Sequence, residues 1–294
     1  DMVNDICGFA DPEMPRVCRE HDVAVSKMAS PPDLERPGAI EDVDDIYDAL
    51  AMNGLTDKTI LDPAFGGWSA AKTHEDDRET LHRLREFRGY GRPLLVSINR
   101  KSFLRTVAGR STEEALPVSL AATSMAVERG AHVIRTHDVA ETRDAALIGA
   151  EFARDRTRSS AGADGGEVSV EELDVTTVRE ARRHLDRLGA DRTVAESAVV
   201  RTYELTGLTG EAVGALRTAT ETVDSAAAFA LADETAEAGV PRSAADGGAP
   251  TAGRDGGQIG LLVGSVAGVA AVRSAVSGVS ATLDAALESI DEGL

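Results

Sequence analysis

Pro93-Leu94-Leu95-Val96-Ser97-Ile98-Asn99-Arg100-Lys101-Ser102-Phe103 is an apolar run that ends in an amide, two cations and a hydroxyl. A run that is apolar at successive positions, rather than at alternate ones, suits a strand buried on both faces, as in a parallel sheet. Its polar end then builds a place for an anion and for a ring edge. The same layout recurs through the first half of the chain. Asn4-Asp5 follows a short apolar start, and Val23-Ala24-Val25 runs on to Met28. Thr59-Ile60-Leu61 ends at Asp62-Pro63, and His132-Val133-Ile134 ends at Arg135-Thr136-His137-Asp138.

Helical patterns fill the gaps. Thr73 to Phe87 carries Leu81, Leu84 and Phe87 at three-residue spacing, behind acidic residues that suit a helix N-terminus. Ser111 with Glu114 reads as a capping box opening a helix that stops near Gly130. Asp138 with Glu141 opens another, to about Phe152. Alternating strand and helix defines an α/β class with right-handed crossovers. In a closed β/α barrel the C-terminal ends of the strands form the active site, which is where these polar clusters fall.

Four of these stretches together resemble one family. Asn4-Asp5-Ile6, Asp62-Pro63-Ala64-Phe65-Gly66, Asn99-Arg100-Lys101-Ser102-Phe103 and Arg135-Thr136-His137-Asp138-Val139 look like the later motifs of dihydropteroate synthase, in the family's order, over roughly residues 1–152. The resemblance implies a (β/α)8 TIM-type barrel and a transferase of folate biosynthesis. That enzyme condenses a hydroxymethyl-dihydropterin pyrophosphate with 4-aminobenzoate and releases pyrophosphate. Carried over by position, Asn4, Met28, Asp62, Gly66 and Lys101 would bind the pterin, and Asn99 and Arg100 would border the aminobenzoate. Arg135 and His137 would bind the pyrophosphate and, with Lys101, form the catalytic set. Mg²⁺ would arrive with the substrate pyrophosphate, and no residue of this chain is assigned to it.

The residue types suit that chemistry. A carboxylate and an amide can read the alternating donors and acceptors of a pterin edge. Cations already in place stabilise charge that builds on a departing pyrophosphate without reorganising. Arginine does so through its bidentate fork and lysine as a point charge.

The chain also departs from the family pattern. Ala29 stands where a histidine is usual after the methionine. The loop Asp62-Pro63-Ala64-Phe65-Gly66-Gly67-Trp68-Ser69-Ala70-Ala71-Lys72 is longer before its lysine. Either Phe65 or Trp68 could supply the stacking face. Asn99 replaces the serine usual before Arg-Lys. Nothing here matches the family's first three strands. The expectation is therefore an incomplete barrel of later strands only, a fragment or one part of a larger or split polypeptide, inactive alone. Its partner would be a second copy in a homodimer or a complementing N-terminal half. Two alternatives stand beside the synthase: a catalytically silent barrel fragment serving a complete synthase, and a pterin-binding methyltransferase. The second would need no pyrophosphate site.

The composition narrows the class further. The 294 residues carry 50 acidic against 31 basic side chains, a net charge of −19, and only 3% aromatics. Four lysines occur, Lys27, Lys58, Lys72 and Lys101. This pattern suggests a cytoplasmic protein of a high-salt cell, a halophile's, where salt screens carboxylate repulsion. It argues against nonspecific nucleic-acid binding, which needs clustered cations. No apolar run approaches the length of a membrane span, about 20 residues. Cys7 and Cys18 have no metal-ligand spacing and read as reduced thiols.

Composition shifts after Phe152. The expected layout is a partial barrel over 1–153, a Ser- and Gly-rich linker over 154–166, and a small C-terminal α/β domain over 167–294. Its strands are read at 168–173, 199–205, 226–231 and 259–264, its helices at 177–188 and 210–222. A disordered loop is read at about 234–257. The strand, Glu-Ala helix and Leu-Gly turn of Leu173 to Asp191 resemble the small leader subdomain of some family members. His21, His74, His82 and His184 are read as solvent-facing, and His132 as packed within a strand.

If carboxylate repulsion limits stability, the thermal midpoint is higher in molar KCl, where the Debye length falls to about 3 Å, than in dilute buffer. Equal midpoints by calorimetry would end the halophile reading.

Overall fold

The computed structural model describes residues 1–66, 72–156, 158–163, 166–223, 226–231, 258–288 and 290, with the backbone alone over 158–163 and 166–169. Trp68 and the loop read at 234–257 lie outside the described residues. The chain divides into two compact units, Asp1–Asp174 and Val175–Leu294.

The first unit is α/β. It runs β1 (Met2–Asp5), α1 (Glu13–Glu20), β2 (Ala24–Met28), α2 (Val43–Ala51), β3 (Thr59–Asp62), α3 (His74–His82), a 3-10 turn (Leu84–Tyr90), β4 (Leu95–Val96), α4 (Ser102–Ala108), α5 (Leu116–Glu128), β5 (Val133–Ile134) and α6 (Val139–Glu151). The strands are parallel and neighbour one another in chain order. β2 pairs with β1 and β3, β4 pairs with β5, and a single parallel bridge, Leu61 to Leu94, joins the two sets.

Strand alternation sorts the side chains. Leu61, Leu94, Val96 and Ile98 face the helices and form the main core with Ile46, Leu50, Leu84 and Phe87. By register, Asn4, Met28 and Asp62 share the opposite face. Thr73 and Asp76 close a reciprocal capping box at the start of α3, and the Asp42 carboxylate caps α2 by accepting from the Asp44 and Asp45 amides.

Local signals in the first unit went astray at four places. Ser111 and Glu114 do bond reciprocally, but they close a turn, and α5 opens only at Leu116 behind Pro117. Asp138 precedes α6 without capping it, because its carboxylate is taken by side chains of the β4 end. His132 lies outside β5 and is exposed, its Nδ1 accepting from the Leu94 amide at 3.2 Å. The stretch read as a linker holds β6 (Arg158–Ala163), which pairs antiparallel with β7 (Gly166–Glu171), so that hairpin belongs to the first unit.

The second unit comprises α7 (Val178–Leu188), a 3-10 turn (Arg192–Ser197), β8 (Val200–Leu208), α8 (Gly210–Thr222), β9 (Ala227–Leu231), β10 (Gln258–Ser265), α9 (Val266–Val276) and α10 (Ala281–Glu288). Its sheet is antiparallel with order β8-β10-β9. Thr177 caps α7 through the Glu180 amide, and Gly189 ends it in the left-handed conformation. The helical stripe Val269, Val272 and Val276 packs on Leu216 and Leu262. His184, read as solvent-facing, is buried on the inner side of α7 beside Ala181. The helix period places it there, three residues from Ala181, although its sequence neighbours are charged.

One buried cation organises the helix side of the first sheet. Lys27 lies wholly inside, and its Nζ donates to the carbonyls of Leu50 and Gly54, each at 3.0 Å, and of Met52. It also sits 5.0 Å from the centroid of the Phe9 ring. These carbonyls are at and beyond the C-terminal end of α2, where a positive charge meets the negative end of the helix dipole. Burial lowers the Lys27 ammonium to about 8, against the pull of the Asp5 carboxylate. Between that value and the ordinary 10.5 the unfolded chain holds the proton that the folded chain has lost, so this group's contribution to stability rises with pH. Denaturant titrations should show wild type gaining up to about 3 kcal/mol over Lys27→Met across that window. A flat difference would show that the ammonium is not penalised by burial.

Candidate functional site

Parallel strands present their C-terminal ends on one edge, so the polar residues that end β1, β2, β3, β4 and β5 collect there. The centre is Asp62, at the end of β3 and nearly sealed from solvent. Its backbone oxygen accepts the Ala29 amide at 2.8 Å, and its Oδ1 accepts the Ala64 amide at 2.8 Å. Burial pushes this carboxyl up to about 6. The Ala64 N–H and the positive charges of Lys101, Arg135 and Lys72 oppose the rise. One carboxylate thus senses cations from two other strand ends and from its own loop.

The loop after β3 is held by a residue that the sequence reading passed over. Asp77, buried in α3, accepts the Gly66 amide at 2.9 and 3.1 Å and lies 3.5 Å from Lys72 Nζ. Lys72 is buried as well and donates to the Ala64 carbonyl at 2.7 Å. Burial lowers its ammonium, and the Asp77 pair works against that. The signal for Asp77 was present but ambiguous, since Glu75-Asp76-Asp77 reads as a helix N-terminal acidic run. Only the helix period shows that Asp77 points inward while Asp76 takes the capping role.

Lys101 comes from the β4 end and lies over Gly66. A Cβ at Gly66 would meet Lys101 Cδ at 2.6 Å and Nζ at 2.7 Å, and Gly66 also has a φ of +74°. Burial lowers the Lys101 ammonium. Asp77 and Asp62 pull it back, while Arg135 and Lys72 push the same way as burial. Three cations and two carboxylates therefore share one electrostatic neighbourhood.

A second cluster lies beside it. Asp138 accepts Arg100 Nε at 2.9 Å and Nη2 at 3.1 Å, a bidentate pair, and Asn99 Nδ2 at 3.0 Å. The Arg100 guanidinium, then Asn99, hold the Asp138 carboxyl down to about 2. Arg100 also donates to the carbonyls of Thr112 and Glu113, and its own amide donates to Ser119 Oγ at 2.7 Å. That network holds Arg100 at a φ of +54°, a conformation that costs a non-glycine residue about 1–2 kcal/mol. Asn99 Oδ1 accepts the His137 amide at 3.5 Å.

Of the residues expected in the site, Asp62, Gly66, Lys101 and Arg135 are brought together. Met28 is buried and pairs in register with Asp62. Asn4 is exposed on the same face, paired with Ser26. Arg135 and His137 are both exposed at the β5 end. Asn99 and Arg100 are joined to Asp138. Phe65 is buried and stacked on Phe103 with centroids 6.0 Å apart, so that face is occupied by the core.

Residues 1–137 match the model of a family described as pterin binding enzyme. The dihydropteroate synthase of Bacillus subtilis is 31% identical over 144 residues, which cover 47% of this chain and 50% of that protein. A probable bifunctional folylpolyglutamate synthase/dihydropteroate synthase of Haloferax volcanii is 34% identical over 176 residues, 56% of this chain and 20% of that one. Among solved structures, a Coxiella burnetii dihydropteroate synthase in complex with pteroic acid gives a TM-score of 0.45 at 29% identity, covering 52% of this chain and 59% of that one. The likeness to dihydropteroate synthases read from the four motifs is therefore shown over about half of the chain. The chain spans about half the length of the Bacillus subtilis relative.

Gly66→Ala should displace Lys101, because its backbone conformation and the space above it both exclude a methyl group. We expect a loss of about 1–3 kcal/mol in stability, set by the strained φ and local overpacking. An unchanged unfolding midpoint would mean that the lysine does not occupy this position.

Proposed function

We propose that the first unit is the pterin- and pyrophosphate-handling part of a dihydropteroate synthase, built as the later strands of a (β/α)8 barrel. The observation that supports it most is the buried Asp62 carboxylate beside Lys101 and Arg135 on one edge of the parallel sheet. In this reading Asp62 accepts N–H bonds from the pterin edge. Asn4 supplies an amide on the same face, and Met28 lines the ring. Lys101, positioned by Gly66 and Asp77, faces the reacting carbon and the leaving group. Arg135 and His137 take the pyrophosphate. Asn99 and Arg100 border the aminobenzoate, Arg100 with its guanidinium already fixed by Asp138.

The weakly basic amine attacks the pterin methylene carbon as the carbon–oxygen bond to pyrophosphate breaks. The amine then gives up its proton, and the leaving group carries away the electron pair. Preorganised cations stabilise the growing negative charge, the usual large term in such sites. In this reading Mg²⁺ enters as the companion of the substrate pyrophosphate.

The protein works in the cytoplasm of a halophile, in keeping with its acidic composition. A complementing N-terminal half or a second copy supplies what a full barrel needs, since the matched relatives extend beyond the aligned stretch.

The assay follows pyrophosphate release from hydroxymethyl-dihydropterin pyrophosphate with and without 4-aminobenzoate. It is run on the chain alone and with the remaining barrel portion of a relative supplied in trans. Amine-dependent release is expected only in the second case, and Lys101→Ala should lose about 2–4 kcal/mol of transition-state stabilisation. Release that ignores the amine would remove the synthase reading. Pterin binding without any release would leave the silent-fragment alternative.

Ligand binding has its own pH signature. The carboxylate, not the acid, accepts the pterin N–H groups, so pterin affinity should rise about tenfold per pH unit below about 6 and level off above it. The same raised value means that free Asp62 lowers folding stability as pH climbs from 3.8 toward 6, because there the folded chain holds the extra proton. Asp62→Asn should bind weakly with no step near 6. A step that persists in this variant would assign the titration to another group.

A further inference from the structure

The backbone ladder between β4 and β5 is short. It pairs Leu95 with Val133 and Val96 with Ile134, and the Arg135 amide extends it to the Val96 carbonyl at 3.0 Å. Asn99–Lys101 and His137–Asp138 lie beyond that ladder. Side chains take over where it stops. Asp138, at the β5 end, accepts Arg100 Nε and Nη2 and Asn99 Nδ2, all from the β4 end. Asn99 returns the contact, its Oδ1 accepting the His137 amide at 3.5 Å.

Each end is also tied back to its own helix. The Arg100 amide donates to Ser119 Oγ, which donates in turn to the Ala115 carbonyl at 2.8 Å. The Asp138 amide donates to Thr136 Oγ1 at 3.1 Å, and Thr136 shares a hydroxyl bond of 2.9 Å with Thr142 of α6. Arg100 keeps a φ of +54°, and strain of that kind persists where surrounding contacts over-determine it. Both polar atoms of the Asn99 amide are turned to the β5 end. A serine, with one oxygen on a shorter stem, could not span both partners.

We infer, on the synthase reading of the first unit, that Asp138 and Asn99 are positioning residues: they clasp the β4 end to the β5 end, so that Lys101 on one and Arg135 and His137 on the other grip a pyrophosphate together. Lys101 directly follows Arg100, and His137 directly precedes Asp138, so the clasp sits between the groups it sets in register. An anion that bridges two held ends gains from their effective concentration, whereas a single phosphate held by one end gains nothing from register. A bare carboxylate beside an anion site does the reverse of what a clasp does, because its charge repels the ligand.

The test is calorimetric titration of the full chain with inorganic pyrophosphate and with inorganic phosphate at one fixed KCl concentration. Wild type should prefer pyrophosphate at least about tenfold. Asp138→Asn and Asn99→Ser should each lower pyrophosphate affinity about tenfold and leave phosphate affinity unchanged or tighter. A wild type without the preference would remove the synthase reading of these cations, and the clasp with it. A preference that survives in either variant would remove the clasp alone. Tighter pyrophosphate binding in Asp138→Asn would make the carboxylate a repulsive neighbour, and equal losses of both anions would make it a general support of the fold. Either result would overturn the inference.

Discussion

The Asp77 carboxylate is the constraint on which the first unit's polar edge depends. It reaches from the first half of α3 to the Gly66 amide and to Lys72, and so pins the loop that follows β3 at both of its described ends. With that loop fixed, Gly66 offers the bare surface on which Lys101 lies, and Lys101 in turn offsets part of the burial of Asp62. Each step uses a charge that would be costly if left alone. A buried carboxylate or ammonium without a partner loses several kcal/mol of solvation. The arrangement persists because three cations and two carboxylates share one neighbourhood and none faces that cost unaided.

Such a cluster is poised without being neutralised. Arg100 and Asp138 form a bidentate pair at a half-open position, and the Asp138 carboxyl is held well below its usual range. Asp62 is the reverse case, a carboxyl raised because burial outweighs its cations. The first pair is an internal strut, already satisfied. The Asp62 carboxylate would gain from any group that brings N–H donors to it, and perturbed groups of that kind gather where chemistry is done. This contrast separates Arg100, whose guanidinium is already paired with Asp138, from Lys101 and Arg135, whose positive charges act on the buried Asp62 carboxyl.

Much of this could be read from residue order. Continuous apolar runs ending in polar residues gave the parallel strands and placed Asp62, Asn99–Lys101 and Arg135 at one edge, because strand direction alone determines which end is shared. Gly66 was legible as part of a motif. The steric reason for it required Lys101 in place. Asp77 was hidden because a run of three acids at a helix start has an ordinary electrostatic reading, and only the helix period, which lines Asp77 up with the buried Thr80, Leu81 and Leu84, marks it as the one that turns inward. Asp138 shows the opposite error. Its spacing to Glu141 fits a helix cap, yet a bidentate arginine from a neighbouring strand competes better than a backbone amide.

The histidines carry the same lesson. His184 sits among Arg182, Arg183 and Asp186 in sequence, which suggested solvent, but helix periodicity puts it in line with Ala181 on the buried face. His132 looked enclosed by apolar neighbours, yet β5 begins one residue later and leaves it exposed. Composition near a residue reports the chemistry of the segment, whereas burial follows the face on which the residue falls. The polar edge of the first unit was therefore easier to read than its supports. Strand ends are fixed by direction, while the groups that hold them come from helix faces, where a shift of one residue in phase exchanges inside for outside.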